Sequence, residues 1–355
     1  MRLGIIGLPQ SGKTTIFNAL TRGNQPVTTS GGRFDVHTAI VDVPDQRLEA
    51  LSALFKPEKT IHAKVTYADI AGLDGSTSGG ISGALLNQLT QMDGLLDVVR
   101  CFDDQNIPHP SGGVDPERDI TTMDNELLLN DMITVERKIE RLQEERRKGG
   151  GREKGQIERE LALFERLQLQ LSSEKPLRDL TFSPEDEHIL SGFGFLTRKP
   201  FLIVLNLGEG QPAPEIVYSH QHSAVVALQG KLEMEIAQLS PEEALIFLQE
   251  YGISEPSLNR VIKMSYDLLG LLSFFTVGQD EVRAWTVKRN SNAYEAAGAI
   301  HTDLQKGFIR GEIIPWDELI ALGGLSEARQ KGKLRIEGKE YILKDGEIMH
   351  VRFNI

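Results

Sequence analysis

Residues 7–14 read Gly7-Leu8-Pro9-Gln10-Ser11-Gly12-Lys13-Thr14, a complete G-x-x-x-x-G-K-[ST] pattern. It carries mechanical meaning only between a strand and a helix, and both are written beside it: Arg2–Ile6 is a short aliphatic run, and Thr14–Leu20 opens a helical stretch. Glycine lets the main chain wrap a phosphate, so that successive N–H groups and the helix N-terminus point at it. Lys13 is then placed to reach the β- and γ-phosphates, and the Thr14 hydroxyl to take one Mg²⁺ position. A chain that starts this way is committed to an α/β fold with a nucleotide site at its strand ends.

The rest of the sequence continues that fold. Lys64–Ala68, Leu95–Phe102, Pro200–Asn206 and Ser223–Leu228 are the β-branched or aliphatic runs of buried parallel strands. Interleaved with helical stretches, they predict the α/β class: a doubly wound, mostly parallel sheet of the P-loop NTPase kind. Between the runs Leu95–Phe102 and Pro200–Asn206, Met132, Val135, Ile139 and Leu142 recur at helical spacing. Ile157, Leu161, Phe164 and Leu171 do the same, with Gln168 in an apolar slot. Two helices of about six turns joined by Gly149-Gly150-Gly151 predict an antiparallel hairpin, an inserted arm. Its tip, Arg146 to Lys154, carries five positive charges and one negative. This is either a solvated turn or a phosphate-seeking tip. From about residue 272, strand-like runs at Ser273–Val277, Ala284–Val287, Lys333–Ile336, Glu340–Leu343 and Ile348–Phe353 surround a helical stretch at Asn292–Leu304. They predict a small α+β domain with a mixed sheet and a closing hairpin through Glu337-Gly338-Lys339 and Lys344-Asp345-Gly346. Cys101, Trp285 and Trp316 are expected in cores.

Charge and cysteine usage narrow the partners. The net charge of −12 excludes a protein that coats nucleic acid by bulk charge. Residues 125–175 carry 11 basic and 11 acidic side chains and residues 272–355 carry 12 of each, so the acid excess lies wholly outside those two segments. They are the better candidates for meeting a polyanion. One cysteine excludes a disulfide framework and a cysteine-based zinc site. No apolar run reaches the ~18 residues of a membrane span, and the first residues are too short and glycine-broken for a signal peptide. A cytoplasmic protein is expected, with no membrane and no DNA partner.

Two further segments bear on the nucleotide. Asp69-Ile70-Ala71-Gly72 ends a strand about 55 residues after the loop, where Asp69 would hold Mg²⁺ through water and the Gly72 N–H would meet the γ-phosphate. Leu73 stands where many GTP hydrolases put a water-orienting glutamine, and residues 73–80 are rich in glycine and serine, as a switch loop is. Asn206-Leu207-Gly208-Glu209 closes a strand where guanine-specific proteins place N-K-x-D, and Gln229-Gly230-Lys231 stands where S-A-K is usual. Without the short carboxylate, the cleft loses its reason to reject adenine.

Taken together, the chain resembles the YchF family of Obg-like ATPases over essentially its whole length. The matching stretches are Gly7-Leu8-Pro9 with Gly12-Lys13, Asp69-Ile70-Ala71-Gly72-Leu73, Val99-Arg100-Cys101-Phe102 and Asn206-x-x-Glu209. The most specific are His301-Thr302-Asp303-Leu304-Gln305-Lys306-Gly307-Phe308-Ile309-Arg310-Gly311-Glu312 and Met349-His350-Val351-Arg352-Phe353-Asn354. The resemblance implies an Obg-type nucleotide-binding domain over 1–120 and 195–270, an inserted coiled-coil arm over 121–194, and a C-terminal β-grasp TGS domain over 271–355. It implies slow, Mg²⁺-dependent hydrolysis of ATP in preference to GTP, and a monomer that meets the ribosome or ribosomal RNA through arm and TGS domain. Carried over, Pro9, Gln10, Ser11, Gly12, Lys13, Thr14 and Thr15 enclose the phosphates, and Asn206, Leu207 and Glu209 line the base cleft, Leu207 through its backbone. Thr29 is the switch threonine on the metal, with Thr28 the alternative, and His109 is the water-orienting histidine beside Lys13 in catalysis. The chain departs from the family in Gln10-Ser11-Gly12-Lys13-Thr14 (usually N-V-G-K-S) and in Gly72-Leu73-Asp74-Gly75-Ser76-Thr77-Ser78 (usually G-L-V-K-G-A-S). A GTPase of the same build and a non-hydrolysing nucleotide sensor that binds RNA or ribosomes stay open as alternatives. The lost switch lysine and absent glutamine favour the sensor.

Overall fold

The computed structural model describes residues 1–22, 27–28, 37–70, 81, 83–148, 152–250, 253 and 255–354, without the side chains of Val27, Thr28 and Pro241. Among the described residues thirteen strands run in chain order: β1 Arg2–Ile6, β2 Val27–Thr28, β3 His37–Asp42, β4 Lys59–Ile61, β5 Lys64–Asp69, β6 Gly94–Arg100, β7 Phe201–Asn206, β8 Ser223–Leu228, β9 Leu271–Val277, β10 Glu281–Lys288, β11 Phe308–Pro315, β12 Arg335–Glu337 and β13 Glu347–Phe353. The first sheet has the order β2-β3-β5-β1-β6-β7-β8. β5, β1, β6, β7 and β8 pair parallel, while β2 pairs antiparallel with β3. This is the expected doubly wound sheet. Every residue of β6 and β7 is buried, as strands covered on both faces must be. Cys101 is in the core beside them.

The first five helices are α1 Lys13–Thr21, α2 Gln46–Phe55, α3 Gly83–Thr90, α4 Pro116–Lys148 and α5 Lys154–Ser172. α4 has 33 residues, which is about 50 Å of helix at ~1.5 Å per residue. It is longer than six turns because its apolar stripe starts earlier. Ile120, Met123 and Leu127 pack in the sheet core, and Val135, Ile139 and Leu142 in a second core with α5. Pro116 stands at the first helical position, and the Asp115 carboxylate accepts the Arg118 N–H at 3.1 Å. Where the helix passes from one core to the other, the buried Asp131 carboxylate accepts from Leu196 N at 3.0 Å, Thr197 N at 2.8 Å and Thr197 Oγ1 at 2.7 Å. On α5 it is Leu167 that fills the buried slot, with Gln168 half-exposed.

The glycines at the arm's end, 149–151, lie outside the described residues. Beside them, Arg152 pairs with Glu145 at 2.8 Å and with Glu160, Lys148 with Glu144 at 3.2 Å, and Lys154 with Glu158 at 3.9 Å. Of the five tip cations only Arg152 is drawn into the arm, while Arg146, Arg147, Lys148 and Lys154 stay exposed.

Two compact units emerge, Met1–Ala39 with Thr66–Val261 and Ile40–Val65 with Ile262–Ile355. These cuts differ from the domain limits read in the sequence: residues 40–65 pack with the C-terminal segment, and the arm clusters within the first unit. The second unit carries a mixed sheet of order β12-β11-β13-β9-β10-β4. β4 pairs parallel with β10, Lys59 opposite Glu281, and Arg47 of α2 donates to Asp345 at 2.6 Å.

Three expectations for this unit are corrected. β12 and β13 do not form a hairpin, because β11 lies between them and pairs antiparallel with both. Residues 340–343 are a connection carrying one isolated bridge, Ile342 to Asn292, because Leu343 turns inward to the core. That core is Phe274, Ala293, Ala296, Ala297, Phe308, Ile313, Leu343, Met349 and Val351. Trp285 and Trp316 do not fill it. Both are half-buried, Trp285 lying on the core's edge with its indole N–H donating to Thr276 Oγ1 at 2.9 Å.

Candidate nucleotide site

The loop after β1 is shaped by close approach. Gly7 has φ +147°, and a Cβ there would lie 2.5 Å from the Val98 carbonyl oxygen. Gly12 has φ +94°, and a Cβ would lie 2.2 Å from Asn206 Nδ2. Neither position tolerates a side chain, which is why the motif's two glycines are fixed points. Gln10 adopts φ +63° between them. Gly12 caps α1 without a side-chain hydrogen bond, so the first-turn N–H groups of Lys13, Thr14 and Thr15 keep the orphan donors that make a helix start an anion site.

Asn206 closes this loop from behind. Its Nδ2 donates to the Ser11 carbonyl at 3.0 Å, and its Oδ1 accepts the Gly230 N–H at 3.0 Å. The residue is buried, so both halves of the amide hold main chain instead of reaching into the cleft. Leu207 is buried in the sheet core and its N–H donates to the Leu228 carbonyl at 2.8 Å. Glu209 is exposed. The sequence reading missed Gln211, whose side chain accepts from Gly208 N at 2.9 Å and donates to the Cys101 carbonyl at 2.7 Å, tying the base loop to the end of β6. No local pattern marks that role.

Lys13 lies across its own loop, Nζ donating to the carbonyls of Gly7 at 2.7 Å and Leu8 at 3.0 Å. Burial lowers its pKa, opposed by the charges of Asp69 and Asp97. Thr14 Oγ1 donates to Asp69 Oδ2 at 3.3 Å, so the two expected metal-facing oxygens are brought together. Burial raises the Asp69 pKa, opposed by Lys13 and the Thr14 hydrogen bond. A hydroxyl and a carboxylate are the hard oxygen donors that Mg²⁺ takes, usually one or two at a time, so the residues fit that ion. Among the described residues no group of three or more His, Cys, Asp or Glu is placed to hold a metal without help from substrate. Thr29 and Gly72 lie outside the described residues, as does the Thr28 side chain.

His109 lies on the wall of a small enclosure shared with Pro9, Ser11, Asp97, Arg100 and Asp119. Its Nδ1 accepts the Ser111 N–H at 3.1 Å, and its Nε2 is 2.9 Å from Asp119 Oδ2. Arg100 braces the same loop, Nε donating to the Phe102 carbonyl at 3.1 Å and Nη2 to that of Ile107 at 2.7 Å. Asp97 was also missed, although an acid inside the aliphatic run Leu95-Leu96-Asp97-Val98-Val99 is a visible anomaly. It is fully buried, and burial, then the nearby Asp124, pushes its pKa up to about 8.

A glycine-hinged loop presenting free N–H groups, with a lysine folded over it, is what P-loop nucleotide-binding proteins are built around, and this chain is one of them. Residues 2–138 match the family described as 50S ribosome-binding GTPase, and residues 271–354 match YchF-GTPase_C, described as a protein of unknown function. The ribosome-binding ATPase YchF of Bacillus subtilis (strain 168) is 40% identical over 369 residues, covering 99% of either chain. Its namesake from Haemophilus ducreyi is also 40% identical, covering all of this chain and 99% of its own. The solved structure of the Schizosaccharomyces pombe YchF GTPase matches with a TM-score of 0.83 at 30% identity, over 99% of this chain and 97% of that one. The chain belongs to the YchF family. No helix among the described residues is long and apolar enough to cross a membrane.

Proposed function

We propose that this protein is a slow, Mg²⁺-dependent ATP hydrolase of the cytoplasm that works on the ribosome. The phosphate loop held by Asn206 carries the reading, since it presents donors to a triphosphate with no further ordering. Lys13 would leave the carbonyls of Gly7 and Leu8 for the phosphate oxygens, and the N–H groups of residues 12–15 would take the charge that develops on them. Thr14 and Asp69, with the switch residue Thr29, would hold Mg²⁺, which neutralises phosphate charge when bound. Gly72 would offer its N–H to the γ-phosphate. His109 supplies the water-orienting group that Leu73 cannot, and its place beside Pro9 and Ser11 supports that role. The bacterial relatives named above are called ribosome-binding ATPases. Contact with ribosomal RNA would come from the arm, through Arg146 and Arg147, and from the C-terminal unit as a TGS domain.

ATP is the preferred substrate because Glu209 and Leu207 stand where a guanine pocket needs a short acid and a lysine stem. The second reading, GTP, is favoured by the name of the fission-yeast relative, a GTPase. Competition of ATP and GTP for one binding signal separates them, and GTP binding tenfold tighter than ATP would reverse the assignment. Phosphate release with and without ribosomes, against a Lys13→Ala blank, tests hydrolysis. Release no faster than the blank in both cases would leave a nucleotide sensor.

A further inference from the structure

Both ring nitrogens of His109 are committed. Because Nδ1 accepts the Ser111 N–H at 3.1 Å, the ring hydrogen sits on Nε2, which donates to Asp119 Oδ2 at 2.9 Å. The two side chains are 3% and 4% exposed, so water does not compete for either. Asp119 is itself gripped on its other oxygen by Arg118, Nε at 3.1 Å and Nη2 at 2.8 Å, and the same Nη2 reaches the Gly113 carbonyl at 2.8 Å. Arg100 adds a tie at Ile107, two residues before the histidine. The segment that carries His109 is therefore fastened before, at and after the ring. It stands against the phosphate loop with no lone pair and no N–H left to offer an attacking water.

We propose that Asp119, clamped by Arg118, is a latch that holds His109 in a non-catalytic pose, and that opening it is the step a ribosome-bound state would have to drive. Asp119 is a positioning residue in this scheme, because it acts only through the histidine. The inference rests on the reading of His109 as the water-orienting group. Slow turnover away from a partner then has a structural cause. A buried bond to a charged acceptor favours the closed arrangement by roughly ten- to a hundredfold, so only a small fraction of molecules carry a free imidazole at any time.

Asp119→Asn keeps the shape at the start of α4 and removes the charge that holds both the imidazole and Arg118. Two measurements on the full-length protein separate the latch from the role of the histidine. The first is the ¹⁵N shift of the His109 ring, assigned by its loss in His109→Gln. The second is single-turnover ATP hydrolysis without ribosomes. The latch requires that Asp119→Asn moves the ring signals away from the fixed Nε2–H form and raises the rate about tenfold at unchanged KM. Adding His109→Gln to Asp119→Asn must abolish the gain. Arg118→Gln, which removes the grip on Asp119 Oδ1 and the 3.5 Å approach of Arg118 Nη2 to His109 Nδ1 but leaves the His109–Asp119 bond itself, must give a smaller rise in the same direction. Ring signals that stay put in Asp119→Asn would overturn the latch. A released ring with no gain in rate would instead remove His109 from the chemistry, and the brake with it.

Discussion

Asn206 and Ser11 stand 195 positions apart in the chain, and the Asn206 amide nitrogen donates to the Ser11 carbonyl at 3.0 Å. Because the other half of the amide accepts from Gly230, one side chain ties the end of β7 to the phosphate loop and to the turn after β8. The loop's curvature is thus set by a residue that the nucleotide need not touch. Asn206→Asp preserves size and the bond from Gly230 but cannot donate to Ser11. It also places a carboxylate under a phosphate site. ATP affinity is expected to fall by about a hundredfold, with unfolding stability down by about 1–3 kcal/mol. Titration calorimetry and urea denaturation read the two effects, and unchanged affinity would reject the strut.

Lys13 supports the opposite pairing of effects. Its ammonium is desolvated and, among the described residues, bonds to two carbonyls of its own loop. Lys13→Met keeps the aliphatic stem and drops the buried charge, so folding should lose little, within about 1 kcal/mol. Triphosphate binding should weaken by about a hundredfold or more, because a charge-assisted contact to phosphate disappears. A Met variant that unfolds would show that the lysine serves the loop before it serves a ligand.

The phosphate loop and the Asp69 position were legible because their chemistry is local: a glycine with no room for Cβ and an acid at a strand end announce themselves within a few residues. The double role of α4 was half legible. The stripe Ile120, Met123, Leu127 continues the helical spacing that Val135 and Ile139 carry, but it faces a different core. What no window could reveal depends on distant pairing. β4 finds its partner β10 more than two hundred residues later, so residues 40–65 read as part of the N-terminal domain although Lys59–Ile61 complete the other sheet. The commitment of His109 to Asp119 belongs to the same kind. The histidine was visible as a candidate, while the bond that occupies it required the loop to fold back on α4.

The joint between the sheet and the arm has its own test. Asp131 accepts three hydrogen bonds from Leu196 and Thr197 in a fully buried site. Asp131→Ala leaves two backbone N–H groups buried without an acceptor, at a cost of about 3–5 kcal/mol. Asp131→Asn keeps one acceptor oxygen and is expected to fall between. Denaturation curves for the two variants should keep that order, whereas the ATP affinity of the folded fraction should not move.

Contact with RNA through the arm rests on few charges. With Arg152 held between Glu145 and Glu160, and the exposed Lys148 and Lys154 in weak surface pairs with Glu144 and Glu158, Arg146 and Arg147 are the arginines the tip offers to a polyanion. Replacing both with glutamate should weaken co-sedimentation with ribosomes and lower its salt dependence by about two counterions. ATP binding should be untouched. Ribosome binding with an unaltered salt slope would move the contact off the arm.

Asp97 makes stability depend on pH in a defined direction. Its carboxyl is fully buried in β6, faced by Asp124 and Asp119 of α4 and by Lys13 of α1, with its pKa raised from 3.8 to about 8. Below about pH 4 the group is protonated in both folded and unfolded chains and contributes no slope. Between about 4 and 8 the unfolded chain releases the proton while the folded one retains it, so this group lowers stability by up to ~1.4 kcal/mol per pH unit. Above about 8 both forms are ionised and the loss levels off. Asp97→Asn imitates the protonated side chain at every pH. The variant should therefore match the parent near pH 4 and become progressively more stable than it up to pH 8, with the difference then constant. Thermal unfolding at pH 5, 7 and 9 reads this directly, and a stability difference independent of pH would mean that Asp97 is ionised in the folded protein throughout.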